Sequence, residues 1–195
     1  MGVLYGDVGA EAKATEVDDD PIVGLIRAGD YKDAAARCAR EHARPIGRLC
    51  MAMLGDSAEA DEAVQETFLA AHRSISQFRG DGRVLAWLAS IARRICARRL
   101  EARGRRAQRL VLVHDAGDDQ PSPLEHAERR RRARAVRLAV EELKPSERDI
   151  LLLRYQAGLS FRETAEACGL DEPAARKRTS RALAKLRKVL RHEVD

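Results

Sequence analysis

Residues 158–190, GLSFRETAEACGLDEPAARKRTSRALAKLRKVL, constrain this chain more than any other stretch. They predict two short helices joined by a tight turn, the second strongly basic. Ser160 is a good N-cap, and Glu163 three residues on completes a capping box. Thr164, Ala165 and Cys168 fall on one face. Gly169 supplies a turn residue with positive φ, after which Leu170 turns back to the core. Asp171 caps the next helix, and Pro173 sits in its first turn, where a missing N–H costs little. Ala165 and Ala175 are small where two helices must cross closely. This is the spacing of a helix-turn-helix, whose second helix enters the DNA major groove.

The second helix carries the matching charge. Arg176, Lys177, Arg178, Arg181, Lys185, Arg187 and Lys188 are basic, while Leu183, Leu186 and Leu190 keep an inward stripe. Cations near the helix start reach bases and later ones reach phosphates. A charge run alone indicates a solvated amphipathic helix; turn chemistry together with charge favours DNA contact.

The rest of the chain reads as helix. Its 195 residues suit one or two small domains, and 45% hydrophobic content supports real cores although aromatics are only 4%. The net charge of +5 is unevenly placed, which matters more than its size. No apolar run is long enough to span a membrane. The acidic start (Glu11, Glu16, Asp18, Asp19, Asp20) is unlike a signal peptide, so a cytoplasmic location is expected. Cys38, Cys50, Cys96 and Cys168 are scattered without a C-x-x-C; Cys96 and Cys168 read as small core residues. Cys38 and His42 share a helix face, but two ligands do not make a structural metal site, and no cofactor is expected.

Residues 1–20 read as a disordered acidic tail. A first helical domain spans 21–104. It opens with a short helix from Pro21, then a long one from Tyr31 to about Leu54 with a kink or break expected near Pro45. A third helix, capped by Asp56 or Ser57, has Val64, Phe68, Leu69 and Ile75 as its apolar stripe, and Asp61, Glu62, Gln65 and Glu66 opposite. The polar glycine loop Phe78–Arg83 leads to a fourth helix, Val84 to about Arg103. Trp87, Leu88, Ile91, Ile95 and Leu100 face inward there, and Arg93, Arg94, Arg98, Arg99 and Arg103 outward. Residues 105–123, with HDAGDDQPSP, form a flexible linker. The second domain, 124–195, opens with a helix whose buried side is Ala133, Val136, Val140 and Leu143, ended by Pro145. Ser146 caps the next helix, Glu147–Tyr155, which leads into the helix-turn-helix. The expected class is all-α: two small helical domains joined by a flexible linker.

Read together, the two halves resemble the sigma factors of bacterial RNA polymerase in their extracytoplasmic-function class. The resemblance lies in GDSAEADEAVQETFLAAHRSISQFRG, in LAWLASIARRICARRL after the loop, and in ELKPSERDILLLRYQAGLSFRETAEACGL, and covers Pro21 to Leu190. It implies a non-enzymatic protein that binds core RNA polymerase, directs it to specific promoters and helps melt the minus-ten region. It implies that Asp61, Glu62, Gln65 and Glu66 dock on the polymerase's largest subunit, as a carboxylate face pairs with a partner's cations. The loop, with Phe78, Arg79, Gly80 and Asp81, would capture a flipped minus-ten base, and Arg93, Arg94, Arg98 and Arg99 would serve the strand. Arg94 and Arg98 stand where the family often has Asn and Asp, which leaves the preferred minus-ten sequence open. Arg176, Lys177, Arg178, Arg181 and Lys185 would read the minus-thirty-five element. An anti-sigma protein is the implied inhibitor, and the acidic linker would thread the polymerase near the RNA path. Trp87 reads as core.

Two other classes fit the sequence less well. A stand-alone helix-turn-helix transcriptional regulator leaves the acidic face and glycine loop unexplained and lacks dimerising heptads. An enzyme acting on nucleic acid needs paired carboxylates, metal spacing or a phosphate loop, none of which the sequence offers.

Overall fold

The structure is a computed structural model that describes residues 20–80, 82–109, 136, 139, 140 and 142–192. The acidic tail to residue 19, Asp81, most of the expected linker, the arginine run 129–132, Ala133 and the last three residues lie outside the described residues. Helix is the only extended regular structure among the described residues, so the chain is all-α.

Local chemistry sets each helix start in the first half. The Asp20 carboxylate accepts the Ile22 amide at 2.9 Å, and α1 runs Pro21–Arg27 with Ile22, Val23 and Ile26 buried. The Asp30 carboxylate caps α2, Tyr31–Leu54, which ends at Gly55 with φ +74°. Of the kink or break expected near Pro45, the break does not occur, for the helix is continuous through it. Cys38 before it and Ile46 and Leu49 after it are buried in one core. That shared burial offsets the cost of about 3 kcal/mol for an internal proline. Asp56, rather than Ser57, caps α3, Ser57–Ser74, accepting the Glu59 amide at 2.8 Å.

The buried face of α3 consists of small side chains, Ala60, Ala63, Thr67 and Ala71. Small residues let neighbouring helices approach closely. Thr67 donates its hydroxyl back to the Ala63 carbonyl, which satisfies it in the dry interface. Val64 and Phe68 are half-buried beside this face, but Leu69 is 58% exposed and does not belong to the apolar stripe expected of it. A 3₁₀ turn, Ile75–Gln77, precedes the loop, and Val84–Arg109 forms α4. This helix passes through Gly104, so the first five residues assigned to the linker, 105–109, are helical.

In the second half, Leu143 is buried and Val136 is 42% exposed, so Val136 is not on the buried side as expected, whereas Ala139 is. Pro145 does not merely end the preceding helix; it opens α5, Pro145–Tyr155, from the first turn. The cap position is Lys144, not Ser146, and the Lys144 amide donates to the Glu147 carboxylate at 3.3 Å. Helices α6, Phe161–Cys168, and α7, Glu172–His192, complete the chain.

The run Ile150–Leu153 divides between two cores. Ile150 and Leu151 pack with Leu143, Ala165, Ala175 and Ala182 inside the second half. Leu152 and Leu153, followed by Ala157 and Leu159, are buried in the core of the first half. At about 25 cal/mol per Å² of apolar surface, four such residues join the halves with several kcal/mol.

Candidate functional site

The helix-turn-helix forms as its local signals dictate. Ser160 Oγ accepts the Glu163 amide at 3.2 Å, and the Glu163 carboxylate accepts the Ser160 amide at 2.7 Å. Gly169 closes α6 at φ +67°, and the Leu170 amide donates to the Ala165 carbonyl at 2.9 Å. The Asp171 carboxylate accepts the Ala174 amide at 2.7 Å at the head of α7. Ala175, Thr179 and Ala182 form the buried face of α7. Arg176, Lys177, Arg181 and Lys185 are exposed and Arg178 is half-buried.

Two of these cations are already engaged. Arg176 forms a bond to Glu172 and lies 4.4 Å from the centre of the Phe161 ring. Its guanidinium is thereby held at the exposed junction of α6 and α7. Lys185 Nζ lies 2.6 Å and 2.8 Å from the two Glu147 oxygens. That bond holds the Glu147 carboxyl below its ordinary range.

In the first half of the chain, the four docking candidates stand on α3. Asp61, Glu62 and Gln65 are exposed and Glu66 is partly so. Glu62 and Glu66 are not waiting for a partner, because Arg99 on α4 donates to both, at 2.9 Å and 3.2 Å. Arg98 donates to Glu66 at 3.0 Å, and Arg103 to Glu59 at 2.7 Å. The bond to Glu62, ahead of the opposing effect of burial, raises the Arg99 pKa further. Thus two cations assigned to DNA and two acids assigned to the polymerase neutralise one another across α3 and α4. Asp61 and Leu69 lie eight residues apart on α3, with Gln65 midway, so the three share one outward face. Leu69 is a member of that surface which the sequence reading missed. Period alone assigns an apolar side chain inward, and no local signal marks an exception.

The loop between α3 and α4 bears Phe78, half-buried, and Arg79, exposed; Gly80 has φ +76°, a conformation that favours glycine. Asp81 lies outside the described residues. Trp87 is half-buried and packs against the first core, and its ring lies 5.2 Å from that of Phe78 at 48°. Both rings line a groove of about 300 Å³ together with Arg79, Gly82 and Arg83. The opposite wall comes from α6: Glu163, Glu166 and Ala167. Arg83 donates through Nε and Nη2 to the two Glu163 oxygens and through Nη2 to the Gly158 carbonyl at 3.4 Å. Arg93 donates to Asp149 on α5 at 3.0 Å, and Arg94 to its own helix at Ser90. Sequence reasoning included Arg83 in the loop but not among the site residues.

Most of the chain matches a known family. Residues 38–106 match the family described as Sigma-70 region 2, and residues 133–186 that described as Sigma-70, region 4. The RNA polymerase sigma-H factor of Pseudomonas aeruginosa is 31% identical over 90% of this chain and 95% of its own length. The ECF RNA polymerase sigma factor SigM of Mycobacterium tuberculosis is 30% identical over 90% and 86%. The chain spans 43% of the length of the probable sigma factor RfaY of Xanthomonas campestris and 64% of that of BldN of Streptomyces coelicolor, each 31% identical over 83% and 87% of this chain. The fold is shared with two solved structures. One, CnrH in complex with the cytosolic domain of CnrY, has TM-score 0.64 and 23% identity over 88% of this chain and 96% of that one. The other, RpoE with the anti-sigma factor NepR from Bartonella quintana, has TM-score 0.62 and 22% identity over 82% and 98%. Among the described residues no helix is long and apolar enough to cross a membrane, and no three His, Cys, Asp or Glu side chains gather as metal ligands. With a region 2 and a region 4 in order and two relatives matched over 95% and 86% of their own length, the chain belongs to the RNA polymerase sigma factors of the extracytoplasmic-function class.

Proposed function

We propose that this chain binds core RNA polymerase in the cytoplasm and directs it to specific promoters by contact rather than catalysis. The observation that carries the reading is the pairing of two surfaces on one chain: a basic helix α7 presented by a complete helix-turn-helix, and an aromatic, cation-lined loop ahead of α4. The first suits duplex DNA in the major groove. The second suits a single strand, because Phe78 and Trp87 offer ring faces and Arg79 a cation for the backbone. The outward face of α3 at Asp61, Gln65 and Leu69, with Glu62 and Glu66 beside it, is the docking surface for the polymerase.

In this reading residues 21–104 serve docking and the minus-ten element, and 124–195 serve the minus-thirty-five element through Arg176, Lys177, Arg178, Arg181 and Lys185. Arg93, Arg94, Arg98 and Arg99 serve the minus-ten strand once released from their present partners. An anti-sigma protein is the inhibitor in this reading, in keeping with the complex of RpoE and the anti-sigma factor NepR. The test is reconstitution. Purified chain added to sigma-free core polymerase should form a stable complex and restore promoter-specific transcription. Absence of that complex would remove the reading.

A further inference from the structure

We propose that Phe161 is the positioning residue for Arg176: its ring holds the face of the guanidinium and leaves the N–H edge to a DNA base. The proposal rests on the promoter-reading role of α7 argued above and names what holds its first arginine in place.

Four observations point the same way. Among the described residues Phe161 is half-buried and joins neither hydrophobic core, so its aromatic ring is not explained by packing. Two guanidinium groups stand over that ring, with the Arg176 carbon 4.4 Å and the Arg154 carbon 5.1 Å from its centre. Arg154 is itself fixed, because its Nη1 donates at 3.0 Å to the carbonyl of the fully buried Leu159. The backbone under the ring is fixed as well, since Phe161 opens α6 directly after its capping residue, Ser160. A continuous support therefore runs from the core through Arg154 and Phe161 to Arg176.

Chemistry decides between the two groups that hold Arg176. One oxygen of Glu172 accepts from both its Nε and its Nη2. A base edge uses the same N–H groups, so the carboxylate competes with DNA. A ring engages the flat face of a guanidinium and none of its N–H groups. Phe161 can keep its hold while Arg176 reads a base, whereas Glu172 has to let go. A side chain held in advance loses less freedom on binding. Only a base that suits the held geometry gains from this, so the ring acts on discrimination between bases.

The experiment uses holoenzyme reconstituted from core polymerase and the full-length chain. It selects from a promoter duplex library randomised across the minus-thirty-five element, and sequencing gives the base preference at each position. Arg176→Ala should abolish preference at one position, which identifies the base that Arg176 reads. Phe161→Leu should reduce preference at that same position about two- to fivefold, with the other positions and the melting temperature unchanged. Phe161→Tyr keeps a ring face and should match wild type. Added to Arg176→Ala, Phe161→Leu should change nothing further. Unchanged preference in Phe161→Leu, an equal fall at every position, or the same effect with and without Arg176 overturns the proposal.

Glu172→Ala decides the matter even if Phe161→Leu does not fold. It removes the competing carboxylate and leaves the ring, so preference at the Arg176 position should persist. Loss of that preference would make Glu172 the holder and overturn the proposal. If Arg176→Ala alters no position, Arg176 is not a reader, and the proposal falls while the sigma-factor reading stands. A wild-type holoenzyme that selects no sequence removes both.

Discussion

Glu163 serves two masters at once. It completes the capping box of α6 and receives Arg83 from the other half of the molecule. Burial pushes its carboxyl up most strongly of the single influences, but the bonds from Arg83 and Ser160 together bring it below the ordinary range. A carboxyl depressed on folding contributes stability that is present above its unfolded pKa and disappears as the pH falls through the folded value. Glu163→Gln should therefore be less stable than wild type at neutral pH by a constant margin. The margin should narrow only below the usual carboxylate range, as urea titrations across acid pH will read. A margin that closes near neutrality would contradict this.

On α7 the residues divide by reach. Arg176→Ala or Arg181→Ala should weaken duplex promoter binding by about 1–3 kcal/mol with loss of discrimination between sequences, if the arginine pairs bidentately with a base. Lys185 lies further along the helix and is tied to Glu147. Lys185→Ala should act evenly on all sequences and reduce the salt slope by about one unit. Competition titrations at several salt concentrations separate the two behaviours.

At the scale of elements, α3 and α4 behave as one charged unit. Arg99 is 27% exposed, spans Glu62 and Glu66, and its Nε is buried without a partner. Reversing Glu62 and Glu66 to lysine would place new cations beside Arg98 and Arg99, so lost binding in such a variant would mix docking with stability. Asp61→Lys with Leu69→Ala is the cleaner test. Both residues are exposed, so the melting temperature should barely move, whereas affinity for core polymerase should fall at least tenfold. Glu66→Ala, by contrast, should cost about 1 kcal/mol of stability, because it removes the acceptor of two arginines. Calorimetry with a pull-down on core polymerase decides between them.

The same elements show what a sequence reveals. Asp30, Asp56, Ser160, Glu163, Gly55 and Gly169 mark helix ends through contacts within a few residues, so each was legible. Pro45 left a break open, and burial on both sides of it overrules that break. Leu69 and Val136 misled because period alone cannot say which face another helix will cover. Of the candidate site, the composition of the basic and acidic faces was legible. That Arg99 would meet Glu62, 37 residues earlier, and Arg83 meet Glu163 depends on how helices cross, which no spacing rule contains.

At the scale of the whole molecule, the division of Ile150–Leu153 between two cores couples the halves. Leu159 is fully buried and belongs by sequence to the second half but by packing to the first. Leu159→Ala should cost about 2–5 kcal/mol. The free wild-type chain should melt in one transition, and the variant in two or in one broadened. A sharp single transition at unchanged temperature would mean the halves do not support each other.

Cys168 has a place that turns this coupling into a clock. It is packed against both cores, while Cys38, Cys50 and Cys96 are buried within the first. Burial raises its thiol pKa, as it does that of Cys38, pushed up to about 11. Cys168 is half-buried, so in a chain keeping it as the sole cysteine a maleimide should attack faster when the halves part. Its labelling half-life then times the separation, second by second, without any fluorophore or crystal. Core polymerase should shorten that half-life, and a ligand that clamps the halves together should lengthen it.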